Sequence, residues 1–264
     1  MSALAAFTDR YVERSSPLHR ADAAVKLPAV LAYVLALALT REGAWGVLAA
    51  SALPIVLAAA LGGYSPMFLL RRSILALPFV AAAVPLAFTR PGEVVLVIPI
   101  TGWDASREGI EAVTTILARS WLSVLAVVLL TASTPVADLL HALRTLRVPR
   151  LLVATVFFTY RYFHVVGDEA MRMMRARDSR SAALPGHRAG GSVGWRASVL
   201  GHMVGSLFIR SLDRSERVHA AMQARGFTGD LRFLATRRVR SIDVAAALVL
   251  VTYAFAVQAA GRLA

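Results

Sequence analysis

Long stretches without a charged side chain alternate with short polar interruptions along this chain. Residues 27–39, 44–61, 73–88, 120–132 and 242–260 contain one charged residue between them, Asp243. A helix rises about 1.5 Å per residue and needs roughly 20 residues, about 17 at least, to cross some 30 Å of hydrocarbon. Residues 44–61 and 242–260 meet that length unaided. The first run meets it once extended over residues 21–26 and Thr40, with its charges snorkelling to the interface. Those first two spans then form a tight hairpin turning at Arg41, Glu42 and Gly43. The fourth is placed at residues 113–133, with Glu111 just ahead of it and Arg119 inside it, facing protein or an interface. The pattern predicts an all-α polytopic membrane protein with about five transmembrane helices.

Between the fourth and fifth spans the periodicity changes. Residues 151–166 are apolar enough for a further span, but Arg161 sits near the middle of the run. From there Arg161, His164, Asp168, Arg172 and Arg175 recur at three or four residues on one face, while Phe158, Tyr162, Val165 and Met173 mark another. One long amphipathic helix is predicted, along or just beneath the membrane surface, ending at Arg180. Residues 184–194, rich in Gly, Pro and Ser, read as a flexible connector. A second amphipathic helix follows over residues 198–223, with Leu200, Met203, Val204, Leu207 and Phe208 on its apolar face and Arg210, Asp213, Arg214 and Arg217 further on. Gly226 is expected to end it as a left-handed cap. The chain divides into residues 1–134 with spans 1–4, a cytoplasmic domain of two long amphipathic helices over 135–240, and the last span in 241–264.

Composition reinforces the membrane assignment. The chain is 57% hydrophobic and 17% charged, with mean hydropathy +0.61, against roughly 45–50% and about 25% in soluble domains. Charge adds orientation, because the net +13 is concentrated in residues 135–240, which hold 18 arginines against 7 acidic residues. Basic segments mark the cytoplasmic side. Five spans with the N-terminus inside place that stretch inside and residues 89–111 outside, where Arg90 and Arg107 face Glu93, Asp104, Glu108 and Glu111. No apolar signal core precedes Lys26, so the chain is expected to begin in the cytoplasm and to lie in the inner membrane as a multi-pass protein. A pI near 11.4 would suit nucleic acid. Tethered below a bilayer, the same charge meets anionic membrane lipid instead, so no nucleic-acid partner is expected.

Several chemistries lack their residues. Cysteine is absent, which excludes disulfides, thiolate metal sites and a cysteine nucleophile. The one lysine, Lys26, follows no glycine-rich loop, so no Walker A motif is present. No two of the six histidines are closer than 15 residues, so metal-ligand spacings such as HExxH do not occur. A Gly-x-Ser-x-Gly elbow is also missing. No catalytic residues, no metal and no cofactor are assigned, and the chain is read as a non-enzyme.

Two arginines stand out because their surroundings repeat. Ala176-Arg177-Asp178 and Ala224-Arg225-Gly226 each follow methionines at the end of an amphipathic helix. A small alanine beside an arginine lets a partner's surface approach while the guanidinium fork reaches a carboxylate or carbonyls in a groove. Two copies suit a partner with two equivalent grooves.

With these residues, Ser16-Pro17-Leu18-His19-Arg20 through Lys26-Leu27, Phe158-Thr159-Tyr160-Arg161-Tyr162 leading to Glu169, and Ala221-Met222-Gln223-Ala224-Arg225-Gly226-Phe227-Thr228-Gly229, the chain resembles the T component of energy-coupling factor (ECF) transporters. Within them it is similar to the cobalt type called CbiQ. The resemblance spans about residues 15–230. It implies a membrane scaffold joining two cytoplasmic ABC ATPases to a small substrate-binding membrane subunit, with cobalt or nickel as the transported ion. It implies further that Arg177 and Arg225 dock into the ATPases and that the apolar faces of the amphipathic helices grip the substrate subunit. The family pattern is a pair of Ala-Arg-Gly triplets, and the first here carries Asp178 in place of glycine. Arg161 with Glu169 is read as an ion pair holding its helix to the N-terminal region, and His19, Arg20 and Lys26 as structural or interfacial. Two other classes compete: a membrane enzyme acting on lipid-linked phosphate, and a solute permease, though no spaced acid, base or nucleophile and no buried polar pathway supports either.

Overall fold

The computed structural model describes Tyr11, Arg14 and residues 16–98, 103–180, 192–229 and 239–263. Of the connector expected at 184–194, residues 184–191 lie outside the described residues, as do Arg237 and Arg238, while Val193 and Gly194 are helical with Ser192 as their cap, a correction to that expectation. Two compact units are distinguished among the described residues: one within 11–146 and 235–264, the other within 147–234.

The first unit is a helical bundle. It contains α1 (Pro17–Arg20), α2 (Ala23–Ala38), α3 (Trp45–Gly62), α4 (Pro66–Arg72), a 3-10 turn (Ser73–Ala76), α5 (Leu77–Ala83) and α6 (Leu86–Thr89). A hairpin of β1 (Val94–Ile98) and β2 (Trp103–Ser106) follows, then α7 (Arg107–Ser133), α8 (Val136–Thr145) and, at the chain's end, α11 (Ser241–Leu263). Among the described residues α3, α7 and α11 are long and apolar enough to cross a membrane, and α2 is a shorter apolar helix. At 27 residues α7 is about 40 Å long, so its first turns, with Arg107, Glu108 and Glu111, extend beyond the hydrocarbon. Arg119 is half-buried on it.

The run at 73–88, expected as one span, is broken into a 3-10 turn and two short helices. Proline accounts for the breaks. Pro78 occupies the first turn of α5, where a missing N–H costs little, so a helix starts there rather than continuing. Pro85 has no N–H for the preceding turn and caps α6. The hairpin was not foreseen either. Its first strand, Val94–Ile98, is rich in β-branched residues and pairs antiparallel with β2 in the register Val94↔Ser106, Leu96↔Ala105, Val97↔Asp104 and Ile98↔Trp103.

The core lies where α2, α3, α7 and α11 meet, with Tyr33, Leu37, Leu48, Ile55, Leu125 and Leu129 buried beside Ala36, Ala59, Ala126, Ala132 and Ala254. Lipid is as apolar as leucine, so helices in a bilayer associate through close packing of small residues and through hydrogen bonds. The alanines supply the first. Gly261 extends it: a Cβ there would stand 2.2 Å from Val47 Cγ2, so α11 approaches the start of α3 as only glycine allows.

The hydrogen bonds are specific. Pro54 inside α3 has no N–H, which deprives the Ala50 carbonyl of its helical donor. Tyr253 Oη of α11 donates to that carbonyl at 2.9 Å. Tyr33 Oη donates to the Ser51 carbonyl at 2.5 Å, and Gln258 Nε2 to Thr40 Oγ1 at 3.0 Å, both residues buried. In hydrocarbon each such group must find an internal partner.

The segment ahead of α2 is pinned to the end of α3. Buried His19 has Nδ1 2.7 Å from Ser16 Oγ and Nε2 3.1 Å from Tyr64 Oη. Arg14 stacks over the Tyr64 ring and donates to the Gly63 carbonyl. Lys26 Nζ donates to Thr134 Oγ1 at 2.9 Å and lies 3.4 Å from the Ser133 carbonyl, a cation at the C-terminus of α7 where the helix dipole favours one. His19 and Lys26 are structural.

Candidate docking site on the amphipathic helices

The second unit consists of α9 (Arg150–Arg180, 31 residues) and α10 (Val193–Ala224, 32 residues). Ser192 caps α10 by accepting from the Trp195 N–H. Only Val153 and Ala154 of α9 are buried, and none of α10. Apolar side chains stay open on α10, with Val204 66%, Phe208 63% and Ile209 61% exposed. Large apolar surface left uncovered marks an interaction face.

Glu169 joins the two helices. It accepts from Arg172, one turn along α9, and from Arg210 Nη1 of α10 at 3.1 Å. The Arg172 hydrogen bond, outweighing the opposing effect of desolvation, holds the Glu169 carboxyl below its ordinary value, with the Arg172 charge and Arg210 adding to it. The expected Arg161 partner is corrected: Arg161 is exposed, and Glu169 turns instead to Arg172 and Arg210. Cross-helix pairing of this kind depends on which helices pack and is absent from the pattern of either one.

A second link lies elsewhere on the pair. The ring of Phe227, just beyond α10, meets that of Phe158 on α9 edge-on, 6.1 Å between centroids. From Glu169 back to Phe158 the chain moves toward the start of α9, while from Arg210 to Phe227 it moves toward the end of α10. The helices therefore run antiparallel, and the two arginine triplets stand at opposite ends of the pair. Arg177 lies about 12 Å beyond Glu169 along α9, and Arg225 about 22 Å beyond Arg210 along α10.

The triplets differ in local geometry. At Ala224-Arg225-Gly226 the Gly226 N–H donates to the Gln223 carbonyl at 2.9 Å and the Phe227 N–H to the Met222 carbonyl at 3.0 Å, with Gly226 at φ 76°. That is a Schellman motif, which needs a left-handed residue where glycine has no steric penalty. Arg225 is thereby held at an abrupt helix end, exposed, while Phe227 anchors the turn on Phe158. At Ala176-Arg177-Asp178 the helix runs on to Arg180, since aspartate does not favour the left-handed turn. Arg177 is half-buried and donates through Nε at 3.0 Å and Nη2 at 2.6 Å to Asp178 Oδ1. One arginine projects free of ion pairs among the described residues; the other already holds a carboxylate.

Sequence reasoning did not find Phe158, Phe227, Arg172 or Arg210 as parts of this arrangement. Phe227 carried a signal, because the second residue after a helix-ending glycine commonly makes an apolar contact. Among the described residues no group of three or more His, Asp or Glu is placed to hold a metal ion.

An apolar bundle with paired intramembrane polar groups and a basic pair of amphipathic helices define a multi-pass membrane protein. The chain belongs to the CbiQ cobalt transport protein family, whose model, described as cobalt transport protein, matches residues 14–234. It is similar to cobalt transport protein CbiQ of Rhodobacter capsulatus, 31% identical over 184 residues, covering 69% of this chain and 72% of that protein. Over 154 residues it is 30% identical to energy-coupling factor transporter transmembrane protein EcfT of Limosilactobacillus fermentum, covering 53% of this chain and 56% of the other. Nickel permease LarQ of Lactiplantibacillus plantarum is 31% identical over 97 residues, 37% of this chain and 33% of LarQ.

Proposed function

We propose that this protein is the energy-coupling membrane component of an ECF-type importer, joining two cytoplasmic ABC ATPases to a small substrate-binding membrane subunit for cobalt or nickel uptake. The observation that carries the reading is the arginine at each end of an antiparallel helix pair, Arg177 and Arg225, two separate points for two ATPases. Ala176 and Ala224 clear space beside each guanidinium, while Asp178 and Gly226 set how each helix ends. The likeness to the R. capsulatus and L. fermentum proteins supports the coupling role, and the likeness to LarQ keeps nickel beside cobalt.

In this reading residues 135–240 form the coupling segment on the cytoplasmic side, following 1–134 and preceding the last span in 241–264. Movement of the ATPases is transmitted through the Glu169–Arg210 link, and the exposed apolar side chains of α10 meet the substrate subunit. The ion itself does not touch this chain. Orientation is tested by cysteine labelling at positions 43, 66, 100, 190 and 264, which should read out, in, out, in, out; external labelling at 190 overturns it. Function is tested by coexpression with the candidate ATPases and substrate subunit. Copurification of two ATPase copies with one small membrane protein supports the coupler, whereas ion uptake by this chain alone would make it a permease.

A further inference from the structure

The bundle contains a cavity of about 420 Å³ that opens at the end where α2 and α11 begin. Its walls include Ala29, Tyr33, Ile55 and Leu129, all buried residues of the core, together with the exposed Leu61, Ile242 and Ala246, so the space is a cleft that reaches from the core to the surface of the bundle. From Lys26 to Tyr33 it follows α2 for seven residues, about 10 Å. Three cations and one acid, Arg20, Lys26, Arg240 and Asp243, stand around the mouth. Arg20 and Arg240 are exposed, and Lys26 is fixed on Thr134.

An apolar shaft of this size does not hold water, which needs two to four polar partners, and an empty one forfeits the dispersion contacts of its lining. In a bilayer the available filler is hydrocarbon. A hydrocarbon chain carrying a negative head answers both halves of the site: it fills the shaft and places an anion between Arg20 and Arg240, where the net charge of the mouth is positive even with Asp243 counted. We propose that this cavity is a site for one anionic phospholipid, with an acyl chain against Tyr33 and Ile55 and its phosphate at Arg20, Lys26 and Arg240. The lipid would act as part of the bundle, joining α2, α3, α7 and α11.

The test is native mass spectrometry of the full chain in mild detergent, titrated with dioleoyl phosphatidylglycerol, dioleoyl phosphatidylcholine or inorganic phosphate. One phosphatidylglycerol should bind per chain in preference to phosphatidylcholine, and millimolar phosphate should not displace it. An arginine near a membrane surface attracts anionic lipid by about 1 kcal/mol, so Arg20→Gln or Arg240→Gln should weaken phosphatidylglycerol about five-fold and the double variant about 25-fold. Arg20→Lys with Arg240→Lys should retain it. Ala58→Phe, narrowing the shaft, should remove it with the headgroup residues intact, and thermal unfolding checks that each variant is folded. Absence of a retained lipid, equal affinity for both lipids, unchanged affinity in the folded Gln double variant, or displacement by phosphate alone would overturn the assignment.

Discussion

The membrane bundle and the amphipathic pair hold themselves together by different means. The bundle is tied by specific internal hydrogen bonds, as where Tyr253 supplies the hydrogen bond that Pro54 takes from Ala50 or Gln258 meets Thr40. Among the described residues the amphipathic pair buries two residues of α9 and none of α10, is linked by the Glu169 fork and the Phe158–Phe227 contact, and leaves Val204, Phe208 and Ile209 open. Helices of 31 and 32 residues with so little burial gain little from each other, since helices in proteins are stabilised chiefly by packing an apolar face. The bundle is stabilised by its own packing, whereas the pair leaves an apolar surface that partners complete in the proposed function. Changes in the first should therefore be read in unfolding, and changes in the second in assembly.

The largest effect is expected at Arg225. Removing an interfacial, hydrogen-bonded charge costs on the order of 2–5 kcal/mol, about 30-fold to several thousandfold in affinity. Arg225→Glu should weaken ATPase copurification by that much with unfolding of the bundle unchanged. Arg177→Glu should do less, because Asp178 already engages that guanidinium. Equal losses at both positions would remove the distinction drawn between the triplets.

In the bundle, Tyr253→Phe should cost about 1 kcal/mol in unfolding by removing one hydrogen bond and stranding the Ala50 carbonyl. In a Pro54→Ala background residue 54 regains its N–H, so the same change should cost close to nothing. A double-mutant cycle with no coupling between the two positions would refute the compensation.

A smaller effect belongs to Asp178→Gly, which restores the Ala-Arg-Gly pattern at α9. The Arg177–Asp178 pair lies near the surface and is worth about 0–1 kcal/mol, so removing that carboxylate should tighten ATPase binding by up to about five-fold, measured by titration of the complex. Weaker binding would mean that Asp178 itself contacts the partner.

Smallest is the pH dependence of the α9–α10 link. The Glu169 carboxyl is held below its ordinary 4.5, so its contribution is fully present above that value and is lost as pH falls through the lower folded value. The chain has no native cysteine, which permits spin labels at 166 and 214 alone. Their distance distribution should be constant above about pH 5 and broaden in acid, and Glu169→Gln should broaden it at neutral pH. A wild-type distribution that narrows on acidification would contradict the sign.

Much of this contrast was legible in the sequence, for unequal reasons. Apolar runs of bilayer length leave few alternatives, and residues 44–61 and 242–260 became helices Trp45–Gly62 and Ser241–Leu263. Gly226 was legible as a helix end because a left-handed residue is specified locally. The broken segment at 73–88 was not, since hydropathy averages over Pro78 and Pro85, and Val94–Ile98 was hidden inside a connection. The Glu169–Arg210 link and the Phe158–Phe227 contact join residues far apart in sequence, and nothing local selects them from many arginines and phenylalanines.

The central claim, that Arg177 and Arg225 are the two joints to the ATPases, is tested most directly by copurifying the Arg177→Glu, Arg225→Glu double variant with its ATPases after mild extraction, beside an Arg237→Glu, Arg238→Glu control of equal charge change. The account predicts that the first loses the ATPases and ion uptake while the control keeps both. A double variant that retains its ATPases and still takes up the ion would contradict it and leave the basic helices as a membrane-binding surface.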